Sequence, residues 1–382
     1  MKIEVAKSDL ENSLSVVRLA SGSGSDLSAH YLFRIKDGAV DILTYDMRLF
    51  ARAPLICSHE GEEGDAFTVE AWRLDKWVAG VSGGVLKLTL DNSDVNASGP
   101  RSKIRFRSLD PSKFPFWDGL VASATSVGTV SPASLSRALG VSSWFVSSDD
   151  TSKPELCQVE AVNGVLWATD RRALSSVEMP SLPNLNIRVP GKDVGAVVRF
   201  LSDKKTLADV VDIKGAERTL EDGGGSCAVF CRPDGCYIGV SRPTSEFPTL
   251  NVDRDTPDEV TLTLDRAEFF SAVSVLSASA PKGHQLVTFK YEAERVLVCM
   301  PSEAGGEDEF ALNLAIVTGG DKFDSPFTVD YPYIKGICDS FKLDSVAFGV
   351  TKRGKGGFTS HRNEDEAEDG GNRYFSVIVW RT

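Results

Sequence analysis

The 382-residue chain lacks long apolar segments and has only four histidines. It contains no run of about 18 apolar residues and no N-terminal segment in which basic residues precede apolar ones. We therefore expect neither a membrane span nor a signal peptide, and we expect the protein to be cytoplasmic. The four histidines lie apart from any nucleophile motif, and the glycine-rich stretches lack phosphate-loop spacing. We therefore expect no enzyme activity.

Cysteine usage excludes a disulfide framework and disfavours a metal site. The seven cysteines are odd in number, which suits reduced thiols. Their one cluster, Cys227, Cys231 and Cys236 in "CAVFCRPDGCY", lacks the fourth ligand and the two-residue spacing of a zinc knuckle. The Arg-Pro-Asp-Gly segment instead predicts a turn, with Cys231 and Cys236 facing each other across a hairpin. We expect no metal and no cofactor.

The charge balance limits how the chain can meet nucleic acid. A net charge of −12 repels DNA overall, so any DNA contact requires a local basic surface. The composition, 42% apolar and 25% charged, is that of an ordinary globular protein. The length exceeds what a single core spans, which indicates two or three domains.

Internal repeats are the strongest signal in the sequence. Three segments share one pattern, in which an apolar residue is followed by apolar residues five and nine positions later. The last two residues of each set are four apart and share a helix face, so the pattern predicts a strand running into a helix. Ser131 before Pro132, and Asp265 with Glu268, are helix-entry signals, the second a capping box. The three sets are Val5, Leu10 and Leu14; Val130, Leu135 and Leu139; Leu264, Phe269 and Val273.

A second strand-to-helix unit also occurs three times, beginning at Phe67, Ile187 and Phe327. The turns "LDPSKFPFW" and "RPTSEFPTL" end the first two repeats. We therefore predict an α+β protein of three similar domains, 1–123, 124–255 and 256–382, each with two helices and small antiparallel sheets. Asp46 and Asp170 occupy equivalent places in two repeats, which argues against their being a catalytic carboxylate pair.

Several motifs, in this order and spacing, resemble the bacterial β sliding clamp family, the processivity factors of replicative DNA polymerases. They are "MKIEV" at the start, "RSKIRFRSLDPSKFP", "ATDRRAL", Met179-Pro180, "VPGKDV" from Val189, "EFP" at Glu246–Pro248, and "YFSVIVWR" from Tyr374. The resemblance covers the whole chain. It implies the DNA clamp fold, with two three-domain subunits joined head to tail in a ring and helices lining the hole.

The resemblance also implies a function and a set of partners. The expected function is a sliding clamp that encircles duplex DNA without sequence preference and tethers DNA polymerase. The expected partners are double-stranded DNA, the polymerase, a clamp loader, other proteins with clamp-binding motifs, and a second copy of the chain; no membrane is expected. The alternative is a clamp-like adaptor or decoy, for instance one encoded by a bacteriophage, that binds partner peptides without encircling DNA.

The helices that line the hole in the family carry more basic than acidic residues here. Ordinary solvated helix faces would show a similar small excess, so the assignment depends on the resemblance. The basic residues predicted to contact phosphates are Arg18, Arg73, Lys76, Arg137, Lys192, Arg199, Lys204, Lys205 and Lys335.

Two charged runs of opposite sign predict the subunit interface. Head-to-tail pairing of two strand edges would join them into one continuous sheet. The basic run contains Arg101, Lys103, Arg105 and Arg107, and the acidic run contains Glu303, Glu307, Asp308 and Glu309.

The partner-peptide cleft of the family corresponds to three stretches of this chain, and two of them depart from the family pattern. Where the family commonly has Gly-His-Arg-Leu, this chain has Arg171-Arg172-Ala173-Leu174, and Ile378-Val379-Trp380-Arg381 replaces Met-Pro-Met-Arg. Stiffer walls predict a narrower set of partners, with Trp380 as the anchor. The predicted cleft residues are Thr169, Asp170, Arg171, Arg172, Leu174, Pro248, Val252, Ile378, Val379, Trp380 and Arg381.

Overall fold

The structure, a computed structural model, is described here for most of the chain. The described residues are 1–23, 26–115, 117–202, 210–218, 225–241, 245–250, 260–283, 285–319, 326–353, 356–364 and 371–381, with side chains left out at 216–218, 225–226, 351–353, 356–360, 364 and 379–381. Contacts between Cα atoms divide the chain into two compact units. Unit 1 comprises residues 1–136 and 186–244, and unit 2 comprises 137–185 and 245–382.

The chain is mostly strand, with short helices between the strands. The α-helices are α1 (Lys7–Val17), α2 (Ala71–Gly80), α3 (Asp118–Ser123), α4 (Pro132–Ser143), α5 (Gly191–Leu201), α6 (Arg266–Leu276) and α7 (Tyr331–Phe341). The strands are β1 (Lys2–Ala6), β2 (His30–Lys36), β3 (Ala39–Tyr45), β4 (Leu49–Leu55), β5 (Ser58–Glu60), β6 (Ala66–Glu70), β7 (Val85–Asp91), β8 (Asp94–Gly99), β9 (Ser102–Arg107), β10 (Thr125–Val130), β11 (Gln158–Val162), β12 (Val165–Thr169), β13 (Ala173–Glu178), β14 (Ile187–Pro190), β15 (Val211–Arg218), β16 (Gly225–Cys231), β17 (Tyr237–Ser241), β18 (Val260–Asp265), β19 (Leu286–Glu292), β20 (Arg295–Pro301), β21 (Glu307–Leu312), β22 (Ile316–Thr318), β23 (Phe327–Asp330), β24 (Ser345–Arg353), β25 (Gly356–Glu364) and β26 (Arg373–Arg381).

Unit 1 contains two antiparallel sheets. The smaller has the order β5-β1-β7-β8-β9, and the larger has the order β10-β15-β16-β17-β4-β3-β2-β6. The larger sheet therefore joins strands from the first and second thirds of the sequence, through pairing of β4 with β17. Gly239 makes this join possible, because a Cβ there would lie 1.9 Å from the Phe50 ring. That ring packs with Val229 and Tyr237 and stacks on Trp117 at 4.4 Å.

Unit 2 follows the same plan. One path of its sheet runs β11-β12-β13-β26-β23-β19-β20-β21, and a branch from β26 runs through β25 and β24 to β18 and β22. Pairing of β13 with β26 again joins the second third of the sequence to the last. A stack of Phe269, Phe289 and Phe327 forms part of the core, with ring centroids 5.7 and 5.1 Å apart.

The repeat-based predictions hold for the helices they concern. The paired apolar residues on α1, α4 and α6 are all buried. Asp265 caps α6, since its Oδ1 accepts the N–H of Glu268 at 2.8 Å. The capping box itself is not formed, because the Glu268 carboxylate accepts the N–H groups of Asn313 and Leu314, both at 2.7 Å.

Two features differ from the expectations. The short helix α3 was not predicted; it follows the first Phe-Pro turn, and Arg34 of β2 binds its Asp118 through both carboxylate oxygens. The cysteine hairpin is present, but Cys231 pairs with Tyr237, while Cys236 lies in the turn and its carbonyl accepts the N–H of Arg232 at 2.9 Å. The strand therefore starts one residue later than the Arg-Pro-Asp-Gly turn alone suggested.

Among the described residues, no helix combines the length and the apolar character needed to cross a membrane. The seven cysteines are all free.

Candidate functional site

Unit 2 contains an open pocket of about 370 Å³ at the turn between β12 and β13. Its walls are mainly apolar and its rim is basic. The residues that line it are Glu155, Leu156, Thr169, Arg171, Arg172, Ala173, Leu174, Pro248, Leu250 and Val377.

The turn is held by its own side chains. The Oδ1 atom of Asp170 accepts the N–H groups of Arg172 and Ala173 at 2.8 and 2.9 Å. The Thr169 hydroxyl donates to the Ala173 carbonyl at 2.7 Å and accepts the N–H of Arg171 at 3.1 Å. The backbone is thereby fixed, and both arginine side chains are left exposed at the pocket rim, about 64% and 77% accessible.

The same turn occurs in unit 1. Asp46 Oδ1 accepts the N–H groups of Arg48 and Leu49 at 3.0 and 2.7 Å. Met47 has φ of 74°, and the corresponding Arg171 has φ of 76°. The two aspartates therefore occupy the same position of a repeated turn, as their alignment in the sequence predicted.

Helix α7 contacts the pocket turn from behind. The Tyr333 hydroxyl donates to Asp170 Oδ2, and Asp330 lies 3.9 Å from Arg172. Burial, followed by the hydrogen bond to Asp170, raises the pKa of Tyr333, so the phenol stays a donor. Burial likewise raises the pKa of Asp330. The pocket wall therefore includes a turn whose position depends on α7.

Arg171 sits in the left-handed region, which costs a non-glycine residue about 1 kcal/mol. We expect Arg171→Gly to stabilise the protein by up to about 1 kcal/mol, because its exposed ion pair with Glu155, at 3.4 Å, contributes little. Met47→Gly should act in the same direction. Arg172→Gly is the control and should destabilise, since it only adds backbone freedom. Urea unfolding measures the change in the free energy of unfolding for all three variants. Equal destabilisation by Arg171→Gly and Arg172→Gly would show that the backbone at Arg171 is not strained.

The structure brings together five of the residues predicted for the peptide cleft: Thr169, Arg171, Arg172, Leu174 and Pro248. Asp170 shapes the turn without lining the pocket. Ile378 is buried in the core, and its neighbour Val377 lines the pocket, because successive strand residues point to opposite faces. Val252 and the side chains of Val379, Trp380 and Arg381 lie outside the described residues.

Sequence reasoning missed Glu155, Leu156, Ala173, Leu250 and Val377 as lining residues. Leu156 ends a short 3-10 helix, Pro154–Leu156, which comes just before β11 as the 3-10 helix Leu27–Ala29 comes just before β2. Leu250 follows the second Phe-Pro turn, so the repeated turn was the sequence feature that could have indicated Leu250 as a lining residue.

The predicted DNA-contacting residues differ in how they are paired. Both guanidinium donors of Arg18 bind Asp75, at 2.8 and 2.9 Å, and Arg73 lies 3.5 Å from Glu70. Lys335 pairs with Asp339. Carboxylates on the same surfaces thus offset part of the basic charge.

The remaining predicted phosphate contacts are less enclosed. Lys76, Lys192 and Arg199 are exposed, and Arg137 is half-buried. Lys204 and Lys205 lie outside the described residues.

The two charged runs predicted for the subunit interface both lie on edge strands. In the described sheets, β9 ends the five-stranded sheet of unit 1, and β21 ends its path in unit 2. Lys103, Arg105 and Arg107 are exposed on β9, with Arg101 in the turn before it. On the acidic side the carboxyls of Glu303, Glu307 and Glu309 are exposed, whereas Asp308 accepts a hydrogen bond from Ser279.

Lys290 neutralises part of the acidic edge. Its Nζ lies 2.9 Å from Glu307 and 2.7 Å from Glu309, and this pairing raises the pKa of Lys290 and lowers that of Glu309. Cys299 lies beside the same two carboxylates, within a possible ligand set for a metal. The ammonium group already occupies the position between the carboxylates, so the cluster is an ion-paired edge.

At the level of sequence, the chain matches no protein-family model and no curated protein. Its three-dimensional structure, however, has the DNA clamp fold. The solved structures that it resembles are bacterial sliding clamps, the β subunits of DNA polymerase III, and the predicted resemblance is confirmed at the level of the fold.

The likeness extends over whole chains. The Bartonella birtlesii clamp, solved with griselimycin bound, aligns with a TM-score of 0.79 and 19% identity over 100% of this chain and 99% of its own. The Thermotoga maritima β subunit gives a TM-score of 0.79 and 16% identity over the same shares. The Pseudomonas aeruginosa β subunit gives 0.77 and 14%, with both chains fully covered.

Proposed function

We propose that the protein is a DNA sliding clamp that encircles duplex DNA without sequence specificity and tethers DNA polymerase. The observation that carries this proposal is the likeness to sliding clamps over the whole chain, together with oppositely charged strand edges at β9 and β21. Such edges suit a head-to-tail homodimeric ring. The role is topological, so we infer a cytoplasmic processivity factor without catalytic activity of its own.

We further propose that the 370 Å³ pocket receives the peptide motifs of partners: the polymerase, the clamp loader and other clamp-binding proteins. Its apolar walls suit large apolar side chains of a peptide, as expected for a groove with buried anchors. The division into domains 1–123, 124–255 and 256–382 is part of the same proposal. The strand pairings β4–β17 and β13–β26 would then be sheets shared by neighbouring domains.

Retention on circular DNA tests the ring. The protein, loaded on a nicked plasmid with a bacterial clamp loader and ATP, should co-elute with the plasmid in gel filtration and be released when the plasmid is cut once. Product length on a primed circle should rise with the protein present. Equal retention on linear DNA, or none on either form, would favour the peptide-binding adaptor over the clamp.

The exposed cations should matter more for DNA retention than the paired ones. We expect Lys192→Ala with Arg199→Ala to reduce the salt dependence of retention by about one unit of slope per lost phosphate contact. Arg73→Ala with Lys335→Ala should reduce it less, because each of these cations already has a carboxylate partner.

Retention half-lives across a salt series measure both pairs. Lys87→Ala, which removes an exposed lysine bound to Glu4 on the five-stranded sheet, is the control. Equal effects of the two pairs, or a preference for one DNA sequence, would contradict the assignment.

A further inference from the structure

A second pocket in unit 2, also of about 370 Å³, is separate from the peptide pocket. It opens between α6 and α7 beside the C-terminal end of α4. Six of its lining residues carry the argument: Trp144, Phe270, Gln285, Tyr331, Pro332 and Lys335.

Three aromatic side chains form the walls. The rings of Phe270 and Tyr331 meet edge to face, with centroids 5.9 Å apart and planes at 85°. Trp144 is held against α7 at Gly336, where a Cβ would lie 2.5 Å from the indole ring. A glycine inside a helix is less favourable than alanine, and here it lets the indole lie on the helix backbone. Trp144 nevertheless stays 42% exposed, so it presents a pre-ordered aromatic surface.

One cation, Lys335, lines the pocket, and a second, Arg266, lies next to it over the Phe270 ring. Lys335 and Arg266 both bind the single carboxylate of Asp339, the arginine at 2.8 Å, so two cations share one anion. The Arg266 guanidinium also lies over the Phe270 ring, 5.2 Å from its centroid. The backbone carbonyl of Gln285 accepts the N–H of Tyr331 at 2.8 Å, and its side-chain amide can both donate and accept at the pocket.

Flat aromatic walls, an amide and a lysine together suit a flat heteroaromatic ring joined to an anion. We propose that this pocket binds an unstacked base of single-stranded DNA, with the adjoining phosphate at Lys335. Stacking on aromatic side chains is favourable for any base and is available only to a base that is not paired in a duplex. The site adds to the proposed clamp function but does not depend on ring closure, so short linear oligonucleotides test it separately.

The experiment measures binding of a fluorescent oligo(dT) to the full chain by anisotropy. Ser274→Trp fills the pocket from α6, and Phe270→Ser removes one wall; each should weaken binding at least 5-fold. Ser271→Trp places the same new side chain on an exposed position of α6 outside the pocket and should bind as the unmodified protein does. A hairpin duplex of equal charge should bind more weakly than oligo(dT).

Free thymidine monophosphate distinguishes a nucleotide site from a strand site: competition at equal concentration would overturn the preference for a strand. Unchanged binding in both Ser274→Trp and Phe270→Ser, or equal binding of the hairpin duplex, would overturn the proposal. Retention of Ser274→Trp on nicked circles should stay normal. If the unmodified protein is not retained on nicked circles but still binds oligo(dT), that result would count against the clamp proposal and not against this pocket.

Discussion

Reversing Arg105 and Arg107 to glutamate is expected to convert the proposed dimer into monomers, with the dissociation constant raised at least 100-fold. Both residues are exposed on β9, the edge of its sheet. In the proposed ring this edge meets β21, which carries Glu307 and Glu309. Four carboxylates would then face one another, and like charges across an interface cost several kcal/mol.

A compensating change on β21 that restores dimerisation must take Lys290 into account. In the unmodified chain this lysine lies between Glu307 and Glu309. Changing only the two glutamates to arginine would crowd three cations together, so we expect full rescue only when Lys290→Glu is added. Sedimentation velocity over a dilution series measures each form, with Lys113→Glu as a single reversal outside β9. A dimer that persists at high dilution after both β9 reversals would show that this edge is not the interface.

The second large effect concerns His361, which is buried on β25 with only 3% of its surface exposed. Its ring packs near Phe341 and Phe348, at 5.6 and 5.9 Å between centroids, and its Nδ1 has no hydrogen-bond partner among the described residues. Burial lowers the pKa of this histidine from 6.5 to about 4. The folded protein therefore holds the ring neutral where the unfolded chain binds a proton.

The sign of the pH effect follows from this difference. The stabilisation is complete above pH 6.5 and is lost as the pH falls towards 4, because protons then favour the unfolded chain. Between pH 7.5 and pH 5 the loss from this one group is about 2 kcal/mol. His361→Phe and His361→Leu should each lose about 2 kcal/mol less than the unmodified protein over that interval in urea unfolding. Parallel losses in all three proteins would contradict the assignment.

Much of the fold was predictable because the repeats fix local structure. The apolar residues of α1, α4 and α6 indicated both the helices and their buried faces, and the structure agrees. Pairings between distant strands were not predictable in the same way, because β4–β17 and β13–β26 depend on tertiary contacts and not on local pattern. The helix α3 was missed because six residues give too little periodicity to predict a helix.

The candidate site shows the same limit at the level of side chains. The Asp170 turn was visible because it repeats the Asp46 turn. That Val377 and not Ile378 lines the pocket could not be predicted in this way. Apolar residues occur at successive positions of this strand, so the sequence does not show which of its two faces is turned to the pocket. Asp75 and Asp339 hold Arg18 and Lys335 in ion pairs, which a count of charges along the helices does not show. The Arg18–Asp75 pair depends on which helices are neighbours, and that information lies outside local sequence. Lys335 and Asp339 are four residues apart on α7, so their pair could have been predicted from the sequence.

Because β4 pairs with β17, β4 cannot complete its sheet until a much later part of the chain has been synthesised. β4 (Leu49–Leu55) leaves the ribosome long before β17 (Tyr237–Ser241), its partner on one side. At ordinary translation rates its open edge waits for roughly 10 seconds or more. During that time a largely buried strand, with Phe50 near its start, is available to other nascent chains. A fragment ending at residue 123 would keep this edge open permanently, so we expect it to aggregate when expressed alone, however faithfully its own helices form.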